Sequence, residues 1–140
     1  MKDINSALLQ AYFEAISAIP IPVYENEEPD DIKDKIYVVL SDVSSIERST
    51  KNSSDLTATI QVSVHSWEYK YNNSKTVNNA VDQIFSVIRP DSNSFLDLSE
   101  FGLQMLNLGV QLDRTERIGR IGGKEFITRY IIFKQDIFII

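Results

Sequence analysis

The stretch IYVVLSDVSSIERSTKNSSDLTATIQVSVHSW, Ile36 to Trp67, decides the fold. Its leading part, with Lys35 included, reads KIYVVLSDV and is apolar on both alternating faces. That is the pattern of a central strand with material packed on each side. Its trailing part, extended to Tyr69 as DLTATIQVSVHSWEY, alternates more cleanly. Ile60, Val62 and Val64 share one face, while Thr59, Gln61, Ser63 and His65 share the other. A half-apolar strand of this kind belongs to an antiparallel sheet whose Thr- and Ser-rich face is wet or meets a partner. Between the two runs lies a polar connection of about a dozen residues, a length typical of loops that carry function or move. It holds Arg48 and Lys51, with nothing reactive beside them. The expectation is an arm that orders against a neighbouring subunit.

Working outward, DINSALLQAYFEAISAI reads as an amphipathic helix. Asp3 or Asn5 can cap its free N–H groups, and Leu8, Leu9, Tyr12, Phe13, Ile16 and Ile19 recur at helical spacing. Pro20 and Pro22 stop it, because a residue before proline is pushed out of the helical region. NNSKTVNNAVDQIFSVI is a second helix, with Ser74 as N-cap, a stripe of Val77, Ala80, Val81, Ile84 and Ile88, and Pro90 as its stop.

The last third predicts a hairpin. QMLNLGVQLDRTERI places Leu106, Leu108, Val110 and Leu112 in alternation, and KEFITRYIIFKQDIFII is rich in β-branched and aromatic residues. Gly119, Gly122 and Gly123 lie between them, where a tight turn needs positive φ. The order helix, strand, strand, helix, strand, strand predicts one α+β domain spanning residues 1–140. Its simplest form is a four-stranded, mainly antiparallel sheet with two helices on one face.

Composition removes several functions. The chain has 140 residues, a length suited to one domain, and its 43% apolar and 24% charged content is that of a globular protein. A formal charge of −6 suits non-specific DNA wrapping poorly, since phosphate contacts need clustered Lys and Arg. The absence of cysteine excludes disulfides, thiolate metal sites and a Cys nucleophile. MKDINSALLQ lacks the apolar core of a signal peptide, and no run approaches the roughly 18 apolar residues of a membrane span. The expectation is a protein made and assembled in a cytoplasm, with no membrane partner.

Each candidate site has a bland competitor. GRIGGK, Gly119 to Lys124, falls short of a phosphate loop because Ile118 and Glu125 stand where Gly and Ser or Thr are required. It also lies between strands, as a hairpin turn does. His65 is the sole histidine, so no triad or zinc site assembles from sequence, and a surface or interface role is expected. The carboxylates from Glu25 to Asp34 lack the glycine and terminal Glu of an EF-hand, leaving a solvated loop or one that meets a basic partner. Arg114, Arg117, Arg120 and Lys124 gather near the predicted turn with Asp113 and Glu116 among them. They form either a solvated tip or a patch facing a subunit or DNA. Ile137, Phe138, Ile139 and Ile140 would make an aggregation-prone edge if left in water. They must be covered by their own sheet or by another subunit. No catalytic residue, cofactor site or metal site is expected.

The order of motifs also resembles a known family. A helix leads through a proline-containing segment to YVVLSD, then an STK loop at Ser49 to Lys51, a strand ending in VHSW at Trp67, and a helix carrying NNAVDQIFSVI. From about residue 4 to residue 90, and more loosely through the hairpin, this is similar to the tail-completion or tail-terminator proteins of long-tailed bacteriophages and prophages. The resemblance implies a small α+β subunit, commonly in a hexameric ring at the head-proximal end of the tail tube. Such a ring stops tube polymerisation and supports head–tail joining. Its implied partners are other copies of itself, the major tail-tube protein and a head-closure or neck protein, with DNA passing nearby without specific binding. Another neck component or minor tail subunit of similar fold is the nearest alternative. A small ligand-binding domain using Tyr24, His65 and Trp67 is the alternative of another class.

Overall fold

The computed structural model describes residues 3–26, 36–47, 55–69, 75–91, 94–121 and 124–139. In chain order the elements are α1 (Ile4–Ile16), β1 (Val23–Glu25), β2 (Ile36–Glu47), β3 (Asp55–Tyr69), α2 (Lys75–Ile88), β4 (Leu103–Ile121) and β5 (Lys124–Ile139). The strands form one mixed sheet in the order β1-β2-β3-β5-β4.

The expected four strands are therefore five. The addition, β1, pairs parallel with β2 through Val23↔Val38, Tyr24↔Val39 and Glu25↔Leu40, whereas all other pairings are antiparallel. Three residues are too few to display alternation, and the prolines before them read only as a helix stop. The second change concerns the connection after β2. That strand runs on to Glu47, past a register shift between Ser41 and Ser44 at which Asp42 takes φ 52°. Residues 48–54, which include Arg48 and Lys51, lie outside the described residues.

Topology also settles what covers the C-terminal strand. β5 lies inside the sheet between β3 and β4, and the edges are β1 and β4. Ile137 is fully buried in the core, so it is no free contact surface, and Ile139 packs partly buried against the same core. The sheet itself does the covering.

The core lies between the helices and one face of the sheet. α1 contributes Ile4, Leu8, Tyr12 and Ile16, and α2 contributes Val77, Ala80, Val81, Ile84 and Ile88. Against them lie Val38, Leu40, Ile60, Val62, Val64, Ile131 and Phe133 from the sheet. Asp3 is the observed cap of α1. Its carboxylate accepts from the Asn5 and Ser6 N–H groups at 3.1 and 3.3 Å and from the Ser6 hydroxyl at 2.8 Å. These bonds, the Ser6 hydroxyl first, hold its pKa below the ordinary carboxylate value.

One polar chain crosses this core. The Tyr12 hydroxyl donates to Gln135 Oε1 at 2.5 Å, and Gln135 Nε2 donates to the Ala58 carbonyl at 2.7 Å. Gln135 and Tyr12 are both fully buried, and burial pushes the phenol pKa upward, so it stays a protonated donor. The chain joins α1 to β5 and β5 to β3. Tyr12→Phe keeps the ring and strands the Gln135 oxygen, so it should cost about 1–3 kcal/mol. Urea unfolding measures this, and an unchanged midpoint would mean that the bond contributes nothing.

Candidate functional site

The sheet face turned away from the helices divides into two halves. In the half near the β4–β5 turn, Tyr37, Ser63, His65 and Thr128 are buried although no described helix lies over them. His65 accounts for the packing. Its ring stacks on Tyr37 (centroids 4.9 Å apart, 14° between planes) and on Phe126 (5.9 Å, 16°), with Tyr130 edge-on at 6.4 Å. Its nitrogens meet hydroxyls: Nδ1 lies 3.0 Å from Thr128 Oγ1 and Nε2 lies 3.0 Å from Ser63 Oγ. Tyr24 and Trp67 extend the row against Tyr37 and Phe126.

The expectation of a surface or interface role for His65 is thus corrected, since it is only 6% exposed within the single chain. The polar look of its strand face hid the cross-strand neighbours, Tyr37 on one side and Thr128 on the other. Hydroxyls on both nitrogens orient the ring and fill its bonding capacity. Tyr24, His65 and Trp67 therefore belong to a packed row of rings, where a pocket would require a gap.

The other half of this face exposes apolar groups. Ile46 is 70% exposed, and Leu112 and Phe138 also stand open. Along β4, Leu106, Val110 and Leu112 are exposed and Leu108 alone of the predicted row is buried. The cause is the strand's irregularity. Register shifts between Met105 and Asn107, Val110 and Leu112, and Arg117 and Gly119 each insert an extra residue and break the two-residue period. Nothing in residue type announces these bulges.

Two open grooves border β4. The first, about 420 Å³, is lined by Asn107, Gly109, Gln111, Lys134 and Asp136 among others. Its floor is held by a ring of bonds. Asn107 Nδ2 donates to Asp136 Oδ2 at 2.7 Å, the Asp136 N–H donates to Asn107 Oδ1 at 3.1 Å, and the Thr57 hydroxyl donates to Asp136 Oδ1 at 2.9 Å. The second groove, about 410 Å³, lies at the start of β4, where Phe95, Leu96, Leu98, Leu103 and Met105 meet Asp97. A 3-10 turn, Ser99–Phe101, borders it and ends on Gly102, whose φ of 71° suits glycine.

The predicted contact residues fall in different places. Arg114 is exposed, 3.1 Å from the Glu116 carboxylate and 5.1 Å from the centre of the Tyr130 ring. Arg117 lies on the opposite face of the hairpin and donates to the Glu125 carboxylate, which is itself buried. These arginines share one hairpin without converging on one point. Arg120 and Lys124 are opposite Glu125 and Ile121 in the ladder, and their side chains lie outside the described residues, as does Ile140. Phe138 is exposed on the outer face while its neighbour Ile137 points into the core. A third arginine, absent from the sequence reading, is the best anchored. Arg129 forms a two-pronged pair with Asp113 at 2.8 and 2.7 Å and bonds Asn78 of α2 at 3.0 Å, an arrangement that raises its pKa. Among the described residues no group of three or more His, Asp or Glu side chains gathers to hold a metal, and no helix is long and apolar enough to cross a membrane.

No family model matches the chain, and no curated protein matches it in sequence. The fold, however, has a solved counterpart. A chain in the virion of a native gene transfer agent (GTA) particle superposes with a TM-score of 0.68 at 14% sequence identity. The match covers 99% of this chain and 99% of that one. At this identity the likeness is one of fold, and it runs the whole length, including both helices and the long hairpin.

The packing around His65 makes it a structural residue with a measurable role. His65→Ala removes two ring stacks and takes its partner from the buried Thr128 hydroxyl, while Ser63 keeps its bond to the Val39 carbonyl, at an expected cost on the order of 2–4 kcal/mol. Chemical unfolding would show the shift. A surface role predicts a change within about 0.5 kcal/mol.

Proposed function

We propose that this chain is a virion structural subunit, a tail terminator or tail-completion protein. In this reading it forms a ring, commonly of six copies, at the head-proximal end of the tail tube. There it ends tube polymerisation and presents a surface to the head-closure or neck protein, while DNA passes through without specific contact. The observation that carries the reading is the fold shared end to end with a chain of a phage-like virion.

The exposed surfaces suit such work. A ring built from one kind of subunit needs two different, complementary surfaces on each copy, so that contacts run head to tail and close by rotation. The described residues offer apolar groups at separate sites: Leu106, Val110 and Leu112 along the β4 edge, and Ile46 and Phe138 on the outer face. Assembly of this kind asks for shape, burial and charge matching and requires no bond-making chemistry, so the protein acts without enzymatic activity or cofactor.

Deleting the coding sequence from the producing genome and measuring the tails by negative-stain electron microscopy tests the reading. Tails of variable, excessive length, or tails without heads, are expected. Tails of normal length joined to filled heads would overturn it.

A further inference from the structure

The outer sheet face carries a knob and a notch that its own chain leaves unmatched. Phe138 is the knob, 37% exposed on β5. The notch is the groove of about 420 Å³ over Gly109, which lies opposite Lys134 in the β4–β5 ladder. Glycine weakens a strand, and nothing in this chain calls for it there. Gly109 has no positive φ, and a Cβ added to it would meet no atom within 4 Å. A strand glycine in such a place leaves room for something that approaches from outside.

Charges flank the two features in matching order. Asp55 lies opposite Phe138 in the β3–β5 ladder, so its carboxylate stands beside the knob on the same face. Lys134 stands beside the notch, is exposed, and meets no carboxylate among the described residues. Arg114, the other described cation of this face, is already paired with Glu116.

We infer that a second copy of this chain docks on the outer face, about a two-fold axis lying between the two sheets, with each Phe138 in the Gly109 notch of the other copy. Knob and notch are four rungs and one strand apart, which at regular strand spacing is about 14 Å. One docked copy therefore covers both, and only a two-fold contact fills both notches at once. The same exchange carries Asp55 of each copy to about 3 Å, in projection, from Lys134 of the other. Shape and charge are thus met by one placement. It sets the strands of the two sheets roughly 40° from antiparallel, close to the aligned class of sheet packing. Ile46, 70% exposed and opposite Thr57, falls within the contact. Four strands over the rungs of residues 132–138 give a footprint of roughly 450 Å² a side. That is the low end for a specific contact, so the pair should separate on dilution. The pair is closed and adds no third copy. It describes the free subunit and goes beyond the ring reading, since a ring that uses the outer face forms only after the pair opens.

Sedimentation velocity on the full chain over a range of concentrations tests the inference, with circular dichroism reporting that each variant is folded. The unaltered chain should pass from monomer to dimer in the micromolar range and stop there. Gly109→Leu fills the notch and Phe138→Ala removes the knob, and each should weaken the dimer about tenfold or more. The decisive variants are Lys134→Asp and Asp55→Lys. Each alone sets like charges against one another twice in the pair and should stay monomeric at the same concentrations. Mixed in equal amounts they should form a dimer again, because each copy offers the charge that the other lacks. Molar salt should weaken the mixed pair, since exposed charges are screened there. A chain that stays monomeric at every concentration overturns the inference and means that a different protein covers this face. Growth beyond a dimer overturns it as well, as does a mixture that stays monomeric or a dimer indifferent to Gly109→Leu. Tail length after gene deletion reports on the terminator reading alone, so the two can fail separately.

Discussion

The unbroken ladder between β3 and β5 is the constraint on which the rest of the molecule depends. It runs from Asp55↔Phe138 to Tyr69↔Lys124 without a register shift. Its side chains serve both faces in turn. Ile60, Val62, Ile131 and Phe133 face the helices, while His65, Trp67, Phe126 and Thr128 build the ring row on the other side. A slip of one residue would exchange those sets and strand both. The Tyr12–Gln135–Ala58 chain bonds across the same strand pair, and His65 with Thr128 bridges it on the outer face. Tightness is concentrated there, and irregularity is pushed outward to β4, where three bulges bend the edge and expose Leu106, Val110 and Leu112. The centre of the sheet specifies the fold, and the edge is left for contacts.

Much of this was legible where the period was long and uninterrupted. The stripe Val77, Ala80, Val81, Ile84, Ile88 is the buried face of α2, and β3 begins and ends where its alternation does. Residues 37–40 are buried on both faces, as their unbroken apolar run predicts. The misses have local causes. β1 is three residues long and gains its partner only in three dimensions. The β4 alternation fails because bulges shift phase without changing residue type. His65 looked exposed because Ser63 and Thr128, both polar, turn out to be its buried partners. Of the contact residues expected from sequence, Ile137 is spent on the core, Arg114 and Arg117 are each paired within the hairpin, and Phe138 stands exposed. The groove at the start of β4 could not be read from sequence, because Phe95, Leu98 and Met105 meet only when the 3-10 turn brings the chain back to the strand.

These features are compatible with the proposed role in assembly. Its one histidine is used to pack a sheet face, its best-anchored arginine ties β4 and β5 to α2, and its exposed apolar groups lie on the strand edge and outer face. A chain of the gene transfer agent virion shares this fold from end to end.

The most direct measurement is a cryo-electron microscopy reconstruction of the neck of any tailed particle released by cells that carry this gene. The ring reading predicts density for this fold repeated around the tail axis, one layer thick, between the last tube ring and the head-closure protein. Finding the chain elsewhere in the particle, or not finding it in the particle at all, would contradict that reading.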